Sequence, residues 1–498
     1  MLIVSQEEAV RNESSHATGT KTWTYAAKNV RDFAWASSRK FIWDAMSIKQ
    51  NGKPVMCMSY YPKEGNPLWG QYSTEVVAHT IKTYSKFTIP YEYPVAISVH
   101  GPIGGMEYPM LCFNGGRPEK DGTYSAQRKY GMISVIIHEV GHNFFPMIIN
   151  SDERQWTWMD EGLNTFCQYL TEQEWERNYP SQRGEPRNIV DYMRTDKSLQ
   201  TPIMTNSESV LQFGPNAYGK PATALNILRE TVMGRELFDY AFKTYATRWA
   251  YKHPTPADFF RTMEDASAVD LDWFWRGWFY STEPCDISLE SVKAYTASTK
   301  NPVVENGRQQ QQRAAAPASV SAQRNATDIK QTMVDEKPEL KDFYNAYDPL
   351  AVTPADQQGY SAYLNSLPAD QRQRLSDTQN FYELNLRNVG GLVMPVVLQL
   401  TFADNSQEIQ TIPAEIWRKN NAQVTKVIVT AKPVISFVID PFQQTADTDL
   451  SNNSFPRQPA ASRFELFQQQ LPNPPNPMQN QAANSMQKLE QKPVGGNR

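Results

Sequence analysis

A chain of 498 residues is too long for one ordinary domain and has ample material for a large core, so two or three domains are expected. Its 49 basic and 53 acidic residues leave a net charge of −4, which offers no basic field for nucleic acid and argues against nucleic acid as a substrate. No apolar run approaches the roughly eighteen residues needed to cross a bilayer, and Met1-Leu2-Ile3-Val4 is too short for the core of a signal peptide. Four cysteines, Cys57, Cys112, Cys167 and Cys285, lie in apolar surroundings without metal-ligand spacing and read as buried free thiols.

Residues 1–29 are polar, with one strand expected over 21–26. Beyond them the pattern becomes that of a folded unit: a strand over 55–61, a helix over 73–87, a strand over 95–100 and an edge strand near 107–113. The apolar run from Met132 to Ile137 then leads into His138-Glu139-Val140-Gly141-His142, and Phe144 and Phe145 follow, so this segment reads as a helix buried on most sides. On such a helix His138 and His142 stand one turn apart on one face and can converge on a single ion, while Glu139 points beside it.

A second glutamate, Glu161, follows His142 after eighteen intervening residues, and the segment around it continues with helical apolar spacing through Cys167 and Leu170. Two histidines and one carboxylate leave a zinc ion an open position, where a bound water falls to a pKa of about 7. The pattern is a zinc hydrolase signature, with Glu161 as third ligand and Glu139 placed to take a proton from water.

Further on the chain reads as helical, with a proline-initiated helix at Thr255-Pro256-Ala257-Asp258 and an aromatic-rich last helix opening at Asp270. Residues 305–330, with their glutamine and alanine runs, read as a linker, and 368–376 as a charged helical stretch. Strand-like alternation follows at 382–386, 396–402, 408–412, 424–430 and 434–439, the spacing of a small β-sandwich. Asp447, Asp449, Asn452 and Asn453 could hold calcium, but without the spacing of a known calcium loop a polar turn is the better reading. From Gln468 onward the Pro, Asn and Gln content predicts a disordered tail.

Four stretches together resemble the aminopeptidase N and leukotriene hydrolase family of gluzincin metallopeptidases. Val30-Arg31-Asp32-Phe33-Ala34-Trp35 is similar to the segment where that family's first, β-rich domain ends, and Gly104-Gly105-Met106-Glu107 resembles its substrate-binding Gly-x-Met-Glu edge. The zinc motif is the third stretch. Tyr218-Gly219-Lys220, ahead of a helical pattern over 222–228, resembles the family's Tyr-x-Lys-Gly segment, whose tyrosine assists catalysis. Order and approximate separation agree over residues 30–280. The chain departs from the family close to the chemistry: Tyr108 stands in place of asparagine, Asn143 and Phe144 in place of glutamine and tryptophan, Asp160 in place of asparagine and Pro221 in place of glycine. No metal ligand is lost.

The resemblance implies an α+β protein: a thermolysin-like catalytic domain, a small mixed sheet followed by helices, with the C-terminal β-sandwich after it. The expected domains are a remnant of the β-rich domain at 1–29, the zinc peptidase domain at 30–290, a linker and polar helical segment at 291–375, the sandwich at 376–457 and a tail at 458–498. One zinc ion is expected on His138, His142 and Glu161, with peptide as substrate and Glu139 as general base. Tyr218 would hydrogen-bond the oxyanion, Glu107 would anchor a free α-amino group, and Gly104 and Gly105 would let a substrate backbone approach the edge strand. The leading reading is a zinc aminopeptidase. An open-cleft endopeptidase or dipeptidase, a non-catalytic scaffold and a hydrolase of a small non-peptide substrate stay open. Because the β-rich domain is almost wholly missing ahead of Val30, a fragment or misplaced start is expected, and an export signal on a longer N-terminus would make the protein periplasmic or secreted.

Overall fold

The computed structural model describes residues 2–4, 8–15, 20–376, 379–458, 476–479 and 481. Near the N-terminus Glu8–Ser15 pairs antiparallel with Thr20–Ala26, and Leu2–Val4 pairs with Trp35–Ser37, so this region holds more strand than the single one expected.

A five-stranded mixed sheet follows, made of β1 (Phe41–Gln50), β2 (Lys53–Pro62), β3 (Val95–His100), β4 (Gly105–Met106) and β5 (Leu111–Asn114) in the order β1-β2-β3-β5-β4. β1 and β2 form a hairpin through Asn51 (φ 47°) and Gly52 (φ 76°), the residue pair best suited to a two-residue turn with both φ positive. β2, β3 and β5 run parallel, and β3, at the centre, is buried along its whole length, as a central strand in a parallel run is. The expected strands at 55–61 and 95–100 lie in β2 and β3; β1 is an addition.

The edge strand expected near 107–113 is not continuous. β4 ends at Met106 and β5 begins at Leu111, with a turn between them that passes through Met110 at φ 64°. Pro109 has no N–H to give a ladder, which accounts for the interruption. Glu107 therefore sits just past the edge strand and not on it.

Behind the sheet lies α1 (Leu68–Phe87), whose buried residues include Val76, Val77, Ile81 and Tyr84 and which packs against β2, β3, α2 (Ala126–Gly141) and α3 (Leu163–Trp175). The longer helices that follow in this unit are α4 (Lys220–Ile227), α5 (Arg235–Trp249), α6 (Pro256–Ser267) and α7 (Asp272–Tyr280). α6 begins as its sequence suggests, with Pro256 in the first turn and a reciprocal capping box between Thr255 and Asp258. The aromatic run of α7 joins the core through Phe279, whose ring lies 4.8 Å from that of the fully buried Trp158.

The expected boundary at residue 290 falls inside a strand, β6 (Ile287–Thr296), which pairs with β7 (Asn380–Asn388) across a long insertion. Within that insertion, where a linker is expected over 305–330, Pro302–Ala315 and Val320–Asp328 are helices. Glutamine, arginine and alanine are good helix formers, and Asn301 caps the first helix by accepting from Val303 N at 3.0 Å. Neither helix has a buried residue, which is what the composition did show.

Beyond it are β8 (Val396–Phe402), β9 (Gln407–Ile412), β10 (Gln423–Thr430), β11 (Val434–Ile439) and β12 (Ser454–Phe455). They form two sheets, β6-β7-β10 and β9-β8-β11-β12. Val434 N donates to Tyr382 Oη at 2.7 Å from one sheet to the other, and the Tyr382 and Phe437 rings meet at 5.2 Å. The polar turn at 447–453 is pinned to β6: Asp447 accepts from Ile287 N at 3.1 Å and Asn452 Nδ2 donates to Asp286 Oδ1 at 2.8 Å.

All four cysteines are buried and unpaired. Among the described residues no helix is long and apolar enough to cross a membrane. The tail expected to be disordered from Gln468 onward lies, but for residues 476–479 and 481, outside the described residues.

Candidate active site

α2 starts at Ser125, whose Oγ accepts from Arg128 N at 3.2 Å, and stays regular until the histidine motif is complete. It then opens into a wide turn over Asn143–Ile148, with Phe145 at φ −124° and ψ 110° and Pro146 unable to donate. The break serves His142. It leaves the Phe145 carbonyl facing back, where it accepts from His142 Nδ1 at 2.8 Å. Asn143 ties the same turn to the sheet edge: its Oδ1 accepts from Met110 N at 2.7 Å and its Nδ2 donates to Val140 O at 3.0 Å.

Glu161 lies in a wide helical turn over Trp158–Gly162 that leads straight into α3. α3 packs on α2, bringing Gln168 to His138: Gln168 Oε1 lies 2.9 Å from His138 Nδ1. Both ring Nδ1 atoms thus face carbonyl-type acceptors and carry their protons there, so both Nε2 atoms present lone pairs.

Those two lone pairs point at one spot. His138 Nε2 and His142 Nε2 are 3.1 Å apart, and Glu161 Oε2 lies 3.0 Å from the first and 3.4 Å from the second. Three acceptors with no donor among them repel each other unless a cation sits between them. A tetrahedral ion with ligands at ~2.0–2.2 Å would hold them about 3.3 Å apart, so the triangle fits zinc.

Glu139 stands next to this triangle and outside it. It is buried, its Oε2 has no hydrogen-bond partner, and burial pushes its carboxyl up to about 8, with the Glu107, Glu161 and Asp160 carboxylates adding to the shift against the opposing pull of His142. Gly105 explains how it fits: a Cβ there would lie 2.1 Å from Glu139 Oε1, so the edge strand presses on the glutamate and only glycine leaves room. Gly104, by contrast, faces open space.

Tyr218 arrives from the wide turn Gly214–Gly219, which precedes α4 and is anchored by Lys220, whose buried ammonium donates to Ser281 O at 2.9 Å. The Tyr218 hydroxyl donates to Glu161 Oε1 at 2.6 Å, and its ring stacks on His138 with centroids 5.6 Å apart. Burial, with the Glu161 carboxylate after it, raises the phenol pKa, so it stays a donor.

Glu107, half-buried, completes the wall. Single ligand-type atoms of Glu107, His142 and Asp160 lie within 4.8 Å of one another. Asp160 Oδ1 is 2.9 Å from His142 Nδ1, but the Phe145 carbonyl is the acceptor with hydrogen-bond geometry at that nitrogen. Together these residues line a cleft of about 420 Å³, rimmed by two ion pairs, Arg154 with Glu208 and Arg31 with Glu153.

Of the catalytic, metal-binding and substrate-binding residues expected from the sequence, all except Gly104 line this one cleft. Gln168 was missed. It lies seven positions after Glu161, on one helix face with it, but glutamine carries no metal signal of its own. Asp160 stood out only as a departure from the family, and Arg183, whose guanidinium lies over the Tyr218 ring, gave no signal at all.

Residues 72–278, from within α1 to within α7, match the peptidase family M1 domain. Over that span the chain resembles the M1 peptidases. Similar to it are the probable aminopeptidase 1 of Sulfurisphaera tokodaii, 25% identical over 46% of this chain and 30% of that protein, and the leucyl aminopeptidase of Saccharolobus solfataricus, 22% identical over 46% and 31%. The match thus spans about a third of the length of these relatives. A wider likeness of fold extends beyond the matched span: aminopeptidase A of Legionella pneumophila, in a crystal structure with aspartic acid, aligns over 86% of this chain and 40% of its own, with a TM-score of 0.53 at 12% identity.

Proposed function

We propose that this chain is a zinc-dependent aminopeptidase, removing residues from the N-termini of peptides. The observation that carries the reading is the convergence of His138 Nε2, His142 Nε2 and Glu161 Oε2 on one point, with a second buried carboxylate, Glu139, beside that point and unpartnered. Bound there, zinc supplies a Lewis acid and a water acidified to a pKa of about 7.

The protein's own groups do the rest. Glu139 accepts the proton of the attacking water and passes it to the leaving amine, a transfer for which a carboxyl pushed toward neutral pH is matched. Tyr218, already a donor 2.6 Å from Glu161, turns that hydrogen bond toward the oxyanion as the carbonyl becomes tetrahedral. Glu107 takes the free α-ammonium of the substrate, at the His142 end of the cleft, and so places the first peptide bond at the metal. Gln168 and Phe145 O hold the imidazoles in the tautomer and orientation the metal requires.

In this reading the β1–β5 sheet with its helices is a thermolysin-like fold, and the two C-terminal sheets are a small β-sandwich that bears no reacting group. The test compares peptides with free and with blocked amino termini, with and without chelator. Hydrolysis confined to free-amino peptides and abolished by chelation is expected. Efficient cleavage of blocked peptides would favour an open-cleft endopeptidase, and activity that survives metal removal would reject the mechanism.

A further inference from the structure

We infer that Glu172 is a positioning residue for the metal site: it holds the side-chain amide of Gln168 in the one orientation that lets His138 offer Nε2 to zinc. The inference rests on the zinc site proposed above and reaches a residue that hydrogen-bonds to no metal ligand and lines no part of the cleft.

Glu172 is a buried carboxylate that the mechanism leaves unused, 2% exposed on α3. Gln168 stands one turn before it on the same helix face. Three donors converge on the Glu172 carboxylate. Ser134 Oγ donates to Oε1 at 2.7 Å from α2, Gln168 Nε2 donates to the same oxygen at 2.7 Å, and Ser181 Oγ donates to Oε2 from the loop beyond α3.

The serine hydroxyls can rotate toward any acceptor, but the Gln168 amide has a donor at one end and an acceptor at the other. With Nε2 held by Glu172, it is Oε1 that faces His138 Nδ1, at 2.9 Å. That nitrogen therefore carries the ring proton. His138 Nε2, 3.0 Å from Glu161 Oε2 and 3.1 Å from His142 Nε2, keeps the lone pair. Turned over, the same amide would set its NH₂ against Nδ1 and its carbonyl oxygen against a carboxylate. Nδ1 would then have to accept, the proton would pass to Nε2, and one corner of the metal triangle would be closed. Among the described residues Gln168 Nε2 has no other acceptor, so Glu172 is what opposes the turn.

His142 needs no such device. Its Nδ1 donates to the Phe145 carbonyl, a backbone acceptor with no donor end to present. Glu172 thus acts on the His138 corner alone, and only through Gln168.

Zinc affinity of the full chain, measured by competition with a chelator, tests this, with thermal unfolding followed alongside. Glu172→Met removes the acceptor and should weaken zinc binding by about tenfold, the lower end of what loss of an outer partner costs. Gln168→Glu should cancel that loss, because a carboxylate accepts from Nδ1 whichever way it is turned, so Gln168→Glu/Glu172→Met should bind near the parent's affinity. Glu172→Gln, whose carbonyl oxygen can still accept from Gln168, should also stay near the parent. Should Glu172→Met not fold, Ser134→Ala and Ser181→Ala are added to remove the two hydroxyls it strands, and the same comparison is read in that chain. Zinc bound as tightly after Glu172→Met as before overturns the inference. So does a loss that Gln168→Glu leaves in place, since a carboxylate that merely supports the helices would be missed whatever stands at position 168. A loss in Glu172→Gln as large as in Glu172→Met overturns it as well, by showing that charge and not amide orientation matters. A parent that binds no zinc would refute the zinc site itself, whereas a parent that binds one ion per chain with no dependence on Glu172 would refute only the role given to Glu172.

Discussion

The region around α2 and α3 and the pair of C-terminal sheets are built from opposite materials. Between α2 and α3 the protein buries His138, Glu139, His142, Asp160 and Glu172, and leaves oxygens of Glu139 and Asp160 without hydrogen-bond partners. Between the C-terminal sheets it buries Leu384, Leu386, Leu398, Leu400 and Phe437, with the Tyr382 hydroxyl as a polar bridge. Buried, unpaired carboxylates cost stability that apolar packing does not. A chain that keeps them in one region and avoids them in another is reserving the first for chemistry.

That contrast can be broken at four places. The largest effect is expected from Glu139→Ala, which should lower kcat by about 10²–10⁴-fold while bound zinc stays at one per chain, checked by steady-state kinetics beside metal analysis. If zinc left with the activity, Glu139 would be a ligand and the distinction between the triangle and its neighbour would be lost. Tyr218→Phe should come next, lowering kcat and kcat/KM alike by about 10²–10³-fold. A rise in KM alone would make the tyrosine a binding group. Gln168→Ala should weaken zinc affinity by about 10–100-fold in competition with a chelator, since His138 would lose the acceptor that orients it. An unchanged affinity would mean that packing alone sets the ring. The smallest change at the site belongs to the other region: Leu400→Ala should lower unfolding stability by about 2–5 kcal/mol and leave zinc affinity and kcat as they are. Zinc loss in the folded variant would show that the sheets support the site after all.

What could be read beforehand followed the same division. His138, His142 and Glu161 are legible because helical spacing alone sets two imidazoles on one face and metal chemistry asks for a third ligand. The strands β3, β8 and β11 are legible because their apolar runs are bounded on both sides. β1 is less legible although Phe41 to Ile48 has strand character, and β6 reads as a domain edge because its outer half is exposed and its partner lies far along the chain. The helices at Pro302–Ala315 and Val320–Asp328 show that a polar composition limits burial and not helicity. At the site, the acceptors of the two Nδ1 atoms were out of reach of pattern reading: Gln168 belongs to another helix, and the Phe145 carbonyl exists as an acceptor only because the backbone breaks there.

The proposed zinc site is made by the three atoms that converge between α2 and α3. Calorimetric titration of the metal-free full chain with zinc, for the parent and for Glu161→Ala, tests it most directly. The parent should take up one ion per chain, and Glu161→Ala should bind it more weakly by more than the roughly 100-fold that loss of an outer partner can cost. A parent that binds no zinc, or a Glu161→Ala variant that binds it as tightly, would contradict the account.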